Sequence, residues 1–383
     1  MKKILPIALL LIFANNILSA QQLKCGVPAL TTAEITRLKN IPLVSIPSLP
    51  LVFDPSSGVY KPTAAVKVKI QFFIVCDGGV NTANITPAQV NSALSVLNNK
   101  FLGANIEFEQ CTGIRYVTFE PLANNFPYAN TTSENALGKN DLKNTINVYI
   151  VNTITDNVGG YTYVANSNNK NKIYLASLDW QSNSTHLNNG LALSHEMGHF
   201  FGLGHTNGFS QNPGTAELVN GNNSLTAGDL VQDTPADPCY MSYSSCSTTS
   251  EGSVCTYPSP GMFQSPNTNC GPSSGYPSFC DANSQRYQPL GNNLMITEYS
   301  LSYNTLTVKQ LQRIYSTYQN DFVGDFDGGA DLVVRDNIND AGDQQGLYTD
   351  WASVFQSPDV WNCRTSNNCT TPEFAGYANS ATT

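Results

Sequence analysis

Three of the chain's 4 histidines fall within one short stretch, Ser194-His195-Glu196-Met197-Gly198-His199-Phe200-Phe201-Gly202-Leu203-Gly204-His205. Residues four apart on a helix stack on one face, so His195 and His199 can offer two imidazole nitrogens to a single ion. Nitrogen donors in that arrangement suit Zn²⁺, which they hold at about 2.0–2.1 Å. Glu196 points in a neighbouring direction, where it can reach a metal-bound water without being a ligand. Gly202 tolerates positive φ and permits a sharp helix exit that brings His205 round as third ligand. Three neutral nitrogens leave one coordination position for water, the arrangement of a catalytic rather than a structural site. The chemistry implied is hydrolysis. The zinc lowers the pKa of its water toward ~7 and polarises a scissile carbonyl. Glu196 takes the proton as general base and then donates to the departing amine. A helix with ordinary surface histidines would need five matched positions by accident in a His-poor chain. A zinc site without catalysis would have no use for an unligated carboxylate at Glu196.

Patterning indicates the elements that must position these groups. Residues 66–71 alternate and residues 72–75 are wholly apolar, as in a strand buried at one end. A helix follows: Thr86 and Gln89 form a capping box, Pro87 takes the first helical position, and Val90, Leu94 and Leu97 share a face. Residues 105–109, 146–151 and 172–176 read as further strands, and a second helix opens near Leu191. This order predicts a mixed α+β layer domain. Residues 206–294 are rich in Gly, Ser, Asn, Pro and Cys, and cysteines 239, 246, 255, 270 and 280 are expected to staple them. They contain no Cys-x-x-Cys, which weakens a structural zinc ribbon. A last helix is expected from Thr307, capped by Gln310, with Leu306 and Leu311 as a hydrophobic staple. Residues 21–64, with prolines at 28, 42, 47, 50, 55 and 62, show little periodicity and read as an extended prosegment or linker.

The chain has 383 residues, of which 41% are hydrophobic, enough for a sizeable core. Only 12% are charged, about half the usual share of roughly 25%, and Asn, Ser, Thr and Gly stand in their place. A net charge of −9 without basic clusters excludes nucleic acid as a partner. Lys2 and Lys3, an apolar run over 4–13 and the exit Leu18-Ser19-Ala20 predict a secretory signal peptide over 1–20. That run is shorter than the about 20 apolar residues a spanning helix needs, and no later segment approaches this length. The expected setting is extracellular, so the 10 Cys read first as disulfides. Cys76 with Cys111 and Cys363 with Cys369 are the expected local pairs.

The motif His195-Glu196-x-x-His199-x-x-Gly202-x-x-His205 resembles the zinc signature of the metzincin metallopeptidases. More of the chain is similar to the pappalysin or cytophagalysin branch. Met197-Gly198 gives the form His-Glu-x-Gly-His, and His205 is followed by Thr206 rather than an acidic residue. Downstream, Gly228-Asp229-Leu230-Val231-Gln232-Asp233-Thr234-Pro235 and Asn293-Leu294-Met295, followed by Leu306-Thr307-x-x-Gln310-x-x-Arg313-Ile314, resemble segments of that branch. The resemblance runs from about residue 66 to 318. It implies a metzincin-like catalytic domain of α+β class, with a mixed sheet and helices in residues 66–205 and a loop-rich, disulfide-stapled subdomain in residues 206–318. It places Met295 in a turn beneath the metal, with Met241-Ser242-Tyr243 as a rival turn. After Met295 the position of the usual tyrosine is Thr297, and the next tyrosine is Tyr299.

Asp233 resembles a position that helps hold calcium in some members of that branch, a hard cation suited to oxygen donors; an Asx-turn at Asp-Thr-Pro is the alternative. Residues 325–331 match a calcium loop poorly and read as a solvated turn. Leu23-Lys24-Cys25-Gly26-Val27-Pro28 resembles the cysteine switch of metzincin zymogens, in which a prosegment thiolate takes the open zinc position. A disulfide at Cys25 is the alternative, since ten cysteines can form five pairs. The organisation expected is a signal peptide over 1–20, a prosegment over 21–65, the peptidase domain over 66–318, and a C-terminal extension or incomplete module over 319–383. The expected function is a secreted, latent zinc metalloendopeptidase acting on proteins or peptides, with one catalytic Zn²⁺. The competing expectations are a silent binding or adhesion protein of the same fold, and a zinc hydrolase of non-peptide substrates. Glu298 is the one acidic residue near the expected pocket floor.

Overall fold

The computed structural model describes residues 24–55, 59–63, 65–78, 80–110, 113–142, 145–165, 172–177, 190–209, 215–238, 245–249, 252–256, 280–296 and 305–322. In chain order the elements are β1 (Lys24–Cys25), α1 (Thr32–Asn40), β2 (Leu51–Asp54), β3 (Val59–Pro62), β4 (Val66–Cys76), α2 (Pro87–Phe101), β5 (Ile106–Gln110), β6 (Arg115–Thr118), α3 (Glu120–Ala123), α4 (Thr131–Gly138), β7 (Ile146–Val151), β8 (Val158–Thr162), β9 (Lys172–Ala176), α5 (Leu191–Phe200), β10 (Ser245–Thr249), β11 (Gly252–Thr256) and α6 (Val308–Thr317). This is a mixed α/β architecture built on a mixed sheet.

The sheet runs β1-β8-β9-β7-β4-β5, with β6 also on β4. All pairings are parallel except β8 with β9. The inner strands are hydrophobic on both faces, as a sheet covered on both sides requires. From β4, Phe72 and Ile74 enter one core with α2 and α5, while Phe73 and Val75 enter the other. The first core also takes Val148, Ile150, Ile173 and Leu175 from the sheet. It anchors α5 through Leu193, Met197 and Phe200, all fully buried. The second core holds a stack of aromatic rings, including Phe73, Tyr149, Tyr174 and Tyr161.

Two polar knots fix the edge of the sheet from that second side. Glu134 of α4 accepts from Tyr161 Oη at 2.9 Å and from Tyr163 Oη at 3.0 Å, tying down β8 and the residue after it. Lys172 Nζ meets Asp141 Oδ2 at 2.7 Å, with both side chains buried, and Tyr149 Oη donates to Asp141 Oδ1 at 2.8 Å. Buried charges of this kind are tolerated because they are paired.

The helix starts follow the expected chemistry. Capping boxes at Thr86–Gln89 and Thr307–Gln310 open α2 and α6. Leu306 and Leu311 both pack against the first core. The early segment departs from the extended reading. A third capping box, Thr31 with Glu34, opens α1, and β2 and β3 form an antiparallel hairpin. The reason is tertiary: α1 places Leu38, only 1% exposed, in the first core, so one buried side chain per two turns suffices without a periodic stripe. The described structure also passes the expected boundary at 318. A π-helical turn, Tyr318–Phe322, continues α6 and packs Phe322 on Phe200 and Phe201. Among the cysteines, Cys76 and Cys280 are disulfide-bonded, whereas Cys25 carries a thiol. Cys111, the partner expected for Cys76, lies outside the described residues, as do Cys363 and Cys369.

Candidate active site

Gly190 precedes helix α5 as its N-cap, with a φ of +83° in the left-handed region, and its missing side chain lets the chain pass α2 closely. A Cβ there would stand 2.6 Å from Ala93 Cα. His195 and His199 then lie one turn apart on the helix. The chain leaves at Gly202, with φ +87°, as Gly202 N donates to His199 O and Leu203 N donates to Gly198 O. This turn returns His205 to the first two rings.

The three rings converge through Nε2. His199 Nε2 lies 3.0 Å from His195 Nε2 and 3.2 Å from His205 Nε2. A carbonyl can only accept, so His195 Nδ1 donates to Leu294 O at 2.6 Å and His199 Nδ1 donates to Leu203 O at 2.8 Å. In a neutral ring this leaves Nε2 as a bare lone pair. Burial pushes His195 down to about 4. Burial pushes His199 and His205 well below their ordinary value, and the neighbouring rings add to it. Neutral imidazoles with lone pairs facing each other repel unless a cation sits between them. A tetrahedral zinc with bonds of about 2.0–2.1 Å sets its nitrogens about 3.3 Å apart. The residues therefore fit a zinc ion in both donor chemistry and spacing.

Cys25 completes the group. Its Sγ lies 3.4 Å from His199 Nε2, and its thiol donates to Glu196 Oε1 at 3.2 Å. The ligand atoms of Cys25, His195, His199 and His205 lie within 4.8 Å of one another, and all four residues are buried. Among the described residues this is the one His, Cys, Asp and Glu group so arranged. β1 delivers the cysteine by lying parallel on β8, with Cys25 opposite Gly160 and Gly26 N donating to Gly160 O at 2.9 Å. Both glycines are needed for this approach. A Cβ on Gly26 would meet Tyr128 Cε2 at 2.5 Å, and one on Gly160 would meet Glu196 Oε1 at 3.2 Å.

Met295, the residue after the carbonyl that holds His195, is fully buried. A Cβ on Gly198 would stand 2.5 Å from Met295 Sδ, so the glycine inside the histidine motif makes room for this turn. Met241-Ser242-Tyr243, Thr297, Glu298 and Tyr299 lie outside the described residues. Asp233 is exposed. Its oxygens accept from Thr307 Oγ1 at 2.6 Å and Lys309 N at 2.9 Å, so it serves the N-terminus of α6. Residues 325–331 lie outside the described residues.

Sequence reasoning missed a pair of buried acids nearby. Glu217 Oε2 is buried and makes no hydrogen bond, and buried Asp229 accepts from Val231 N at 3.0 Å and is held by the Thr234 hydroxyl. Burial and then Asp237 push Glu217 up to about 8. Burial, followed by Glu217, raises Asp229 well above the carboxylate range. Asp229 lies in the quoted Gly228-Asp229 segment, but nothing in local sequence points to Glu217.

Comparisons with known proteins bear on this arrangement. Residues 88–206, which hold all three histidines, match the model of the reprolysin-like M12B metallopeptidase family. An extracellular metalloprotease of Sordaria macrospora is 28% identical over 231 residues, covering 55% of this chain and 69% of the relative. A second extracellular metalloprotease, from Neurospora crassa, is 28% identical over 200 residues, covering 47% of this chain and 60% of its own length. Among solved structures, a promirolysin mutant of Tannerella forsythia aligns at 16% identity with a TM-score of 0.45, covering 70% of this chain and 84% of its own. Mature mirolysin with a cleaved peptide aligns at 16% identity and a TM-score of 0.44, covering 66% and 91%. The family match and the two fungal relatives support a metalloprotease.

Proposed function

We propose that this chain is a secreted zinc-dependent endopeptidase made in latent form, with Cys25 closing the site until the first segment is removed. One observation carries the reading: three imidazole lone pairs converge beside a buried Glu196, and a thiol stands at the fourth corner. His195, His199 and His205 would hold the ion. Bound there, zinc supplies Lewis-acid polarisation of a carbonyl and acidifies a water molecule.

The protein's own groups do the rest. β8 is paired on one side by β9 and on the other by β1. With β1 gone, its backbone N–H and C=O groups become an open edge that receives an extended peptide. Gly160 presents no side chain at that edge beside Glu196, so the scissile bond can pass close to the carboxylate. Glu196 accepts the proton of the attacking water as the new C–O bond forms, and returns it to the amine nitrogen as the C–N bond breaks. Burial strengthens this transfer by excluding bulk water. A peptide-binding strand edge favours protein substrates over non-peptide ones, and an intact Glu196 disfavours a silent binding protein.

The pappalysin-type assignment within this reading rests on the segments at 228–235, 293–295 and 306–314. For calcium, Glu217 and Asp229 are better suited than Asp233. Both are buried and Glu217 Oε2 has no hydrogen-bond partner, whereas both oxygens of Asp233 serve α6. The test is casein hydrolysis by the processed protein, with and without a zinc chelator, beside Glu196→Ala. Chelator-sensitive hydrolysis lost in the variant is expected. Hydrolysis persisting in Glu196→Ala rejects the assigned base.

A further inference from the structure

We infer that Asn293 and Gln310 form a positioning pair that aims the carbonyl holding His195. The inference rests on the metal-site reading above and concerns how that site is kept in shape. The two side-chain amides face each other in a closed exchange. Asn293 Nδ2 donates to Gln310 Oε1 at 2.8 Å, and Gln310 Nε2 donates to Asn293 Oδ1 at 3.1 Å. Both residues are fully buried.

Backbone donors fix which way each amide points. Asn293 Oδ1 also accepts from Met295 N at 2.9 Å, and Gln310 Oε1 also accepts from Thr307 N at 2.9 Å. Turning either amide over would set an NH₂ group against a backbone N–H.

The geometry reaches the ligand through one peptide unit. Leu294 C=O and Met295 N–H belong to the same rigid plane. Its N–H is pinned by Asn293 Oδ1, and its C=O receives His195 Nδ1 at 2.6 Å. The adjoining group, Leu294 N, donates to Thr305 O at 2.7 Å. One residue on, Met295 O accepts from Thr206 N at 2.9 Å, beside His205. Two successive carbonyls of the turn thus hold the segments of two ligands, and the amide pair ties that turn to the capped start of α6. Partners outside the metal ligands typically change metal affinity or activity by about 10–100-fold when removed.

The test compares Gln310→Ala with Thr307→Ala in the full chain. Both variants lose the capping box of α6, and only the first releases Asn293. Zinc dissociation constants are read by competition with a chromogenic chelator, alongside the visible spectrum of the cobalt-substituted protein and the melting temperature of the metal-free protein. We expect Gln310→Ala to weaken zinc about tenfold and shift the cobalt band. Thr307→Ala should stay within about twofold of the parent while lowering the metal-free melting temperature as much. Should Gln310→Ala not fold, Asn293→Asp gives the same reading. It keeps the acceptor for Met295 N, loses the donor to Gln310, and is expected to weaken zinc severalfold. Equal zinc affinity in Gln310→Ala and the parent, or equal weakening by Thr307→Ala, overturns the role of the pair. A parent that binds no zinc overturns the site reading itself.

Discussion

The proposed latency implies an anchor far from the thiol, and Leu38→Ala measures it. Leu38 is 1% exposed. Its Cδ2 lies 3.6 Å from where a Cβ on Gly202 would stand, so α1 rests on the exit of the histidine helix. Its carbonyl accepts from Arg313 Nη1 at 2.6 Å, and one residue back Arg37 meets Asp321 at 2.7 Å. Truncating a buried leucine to alanine costs about 2–5 kcal/mol. If α1 must detach for Cys25 to leave the site, that loss falls on the closed state. At 1.4 kcal/mol per factor of ten, the lower figure alone raises the open population about 30-fold. The assay alkylates the full chain under native conditions and follows the Cys25 peptide by mass spectrometry, where the far-UV spectrum matches the parent. Labelling of Cys25 should quicken at least about tenfold in Leu38→Ala. Leu43→Ala, in the same segment but 43% exposed, should change it little. Parental labelling rates in Leu38→Ala would refute the anchor.

Cys25→Ala should give the unprocessed chain immediate peptidase activity, and unchanged latency would reject the switch. Glu196→Gln should retain zinc while losing about 10²–10⁴-fold in kcat, since it removes only the proton acceptor; a loss below tenfold would contradict that role. Gly198→Ala drives a methyl group to within 2.5 Å of Met295 Sδ and should cost about 1–3 kcal/mol in a denaturant titration. Metal-free protein should lose stability as pH falls from about 6.5 toward 4. Unfolded histidines take up protons near 6.5 while buried His195 resists until about 4, so stability rises with pH across that window, by up to about 1.4 kcal/mol per unit per ring. Calcium should raise the melting temperature more at pH 8.5 than at pH 5. The raised value of Glu217, about 8, means its stabilising proton is lost as pH rises through that point, leaving a buried charge for the cation to offset. Equal calcium effects at both pH values would remove Glu217 from the site.

What local sequence carries is visible element by element. The histidine helix is legible because two of its histidines are four apart and its exit needs a glycine. α2 and α6 are legible because Thr and Gln recur at capping-box spacing, and β4, β7 and β9 because unbroken apolar runs suit a sheet covered on both faces. β8 is not legible. Its sequence, Val158-Gly159-Gly160-Tyr161-Thr162, lacks alternation because Gly160 is bare where the strand passes Glu196. α1 carries a capping box too, but prolines on either side and a single buried leucine conceal it. The exchange between Asn293 and Gln310 joins residues 17 apart through a turn, and the Glu217–Asp229 pair joins two loop positions. Neither follows from periodicity, since both arise only when separate segments are packed together.

X-ray absorption at the zinc edge of the unprocessed chain tests the central claim most directly. One zinc per chain is expected, with three nitrogen neighbours at about 2.0–2.1 Å and one sulfur at about 2.3 Å, and with the sulfur shell lost in Cys25→Ala. Absence of bound zinc, or zinc that persists unchanged when His195 and His199 are both replaced by alanine, contradicts it.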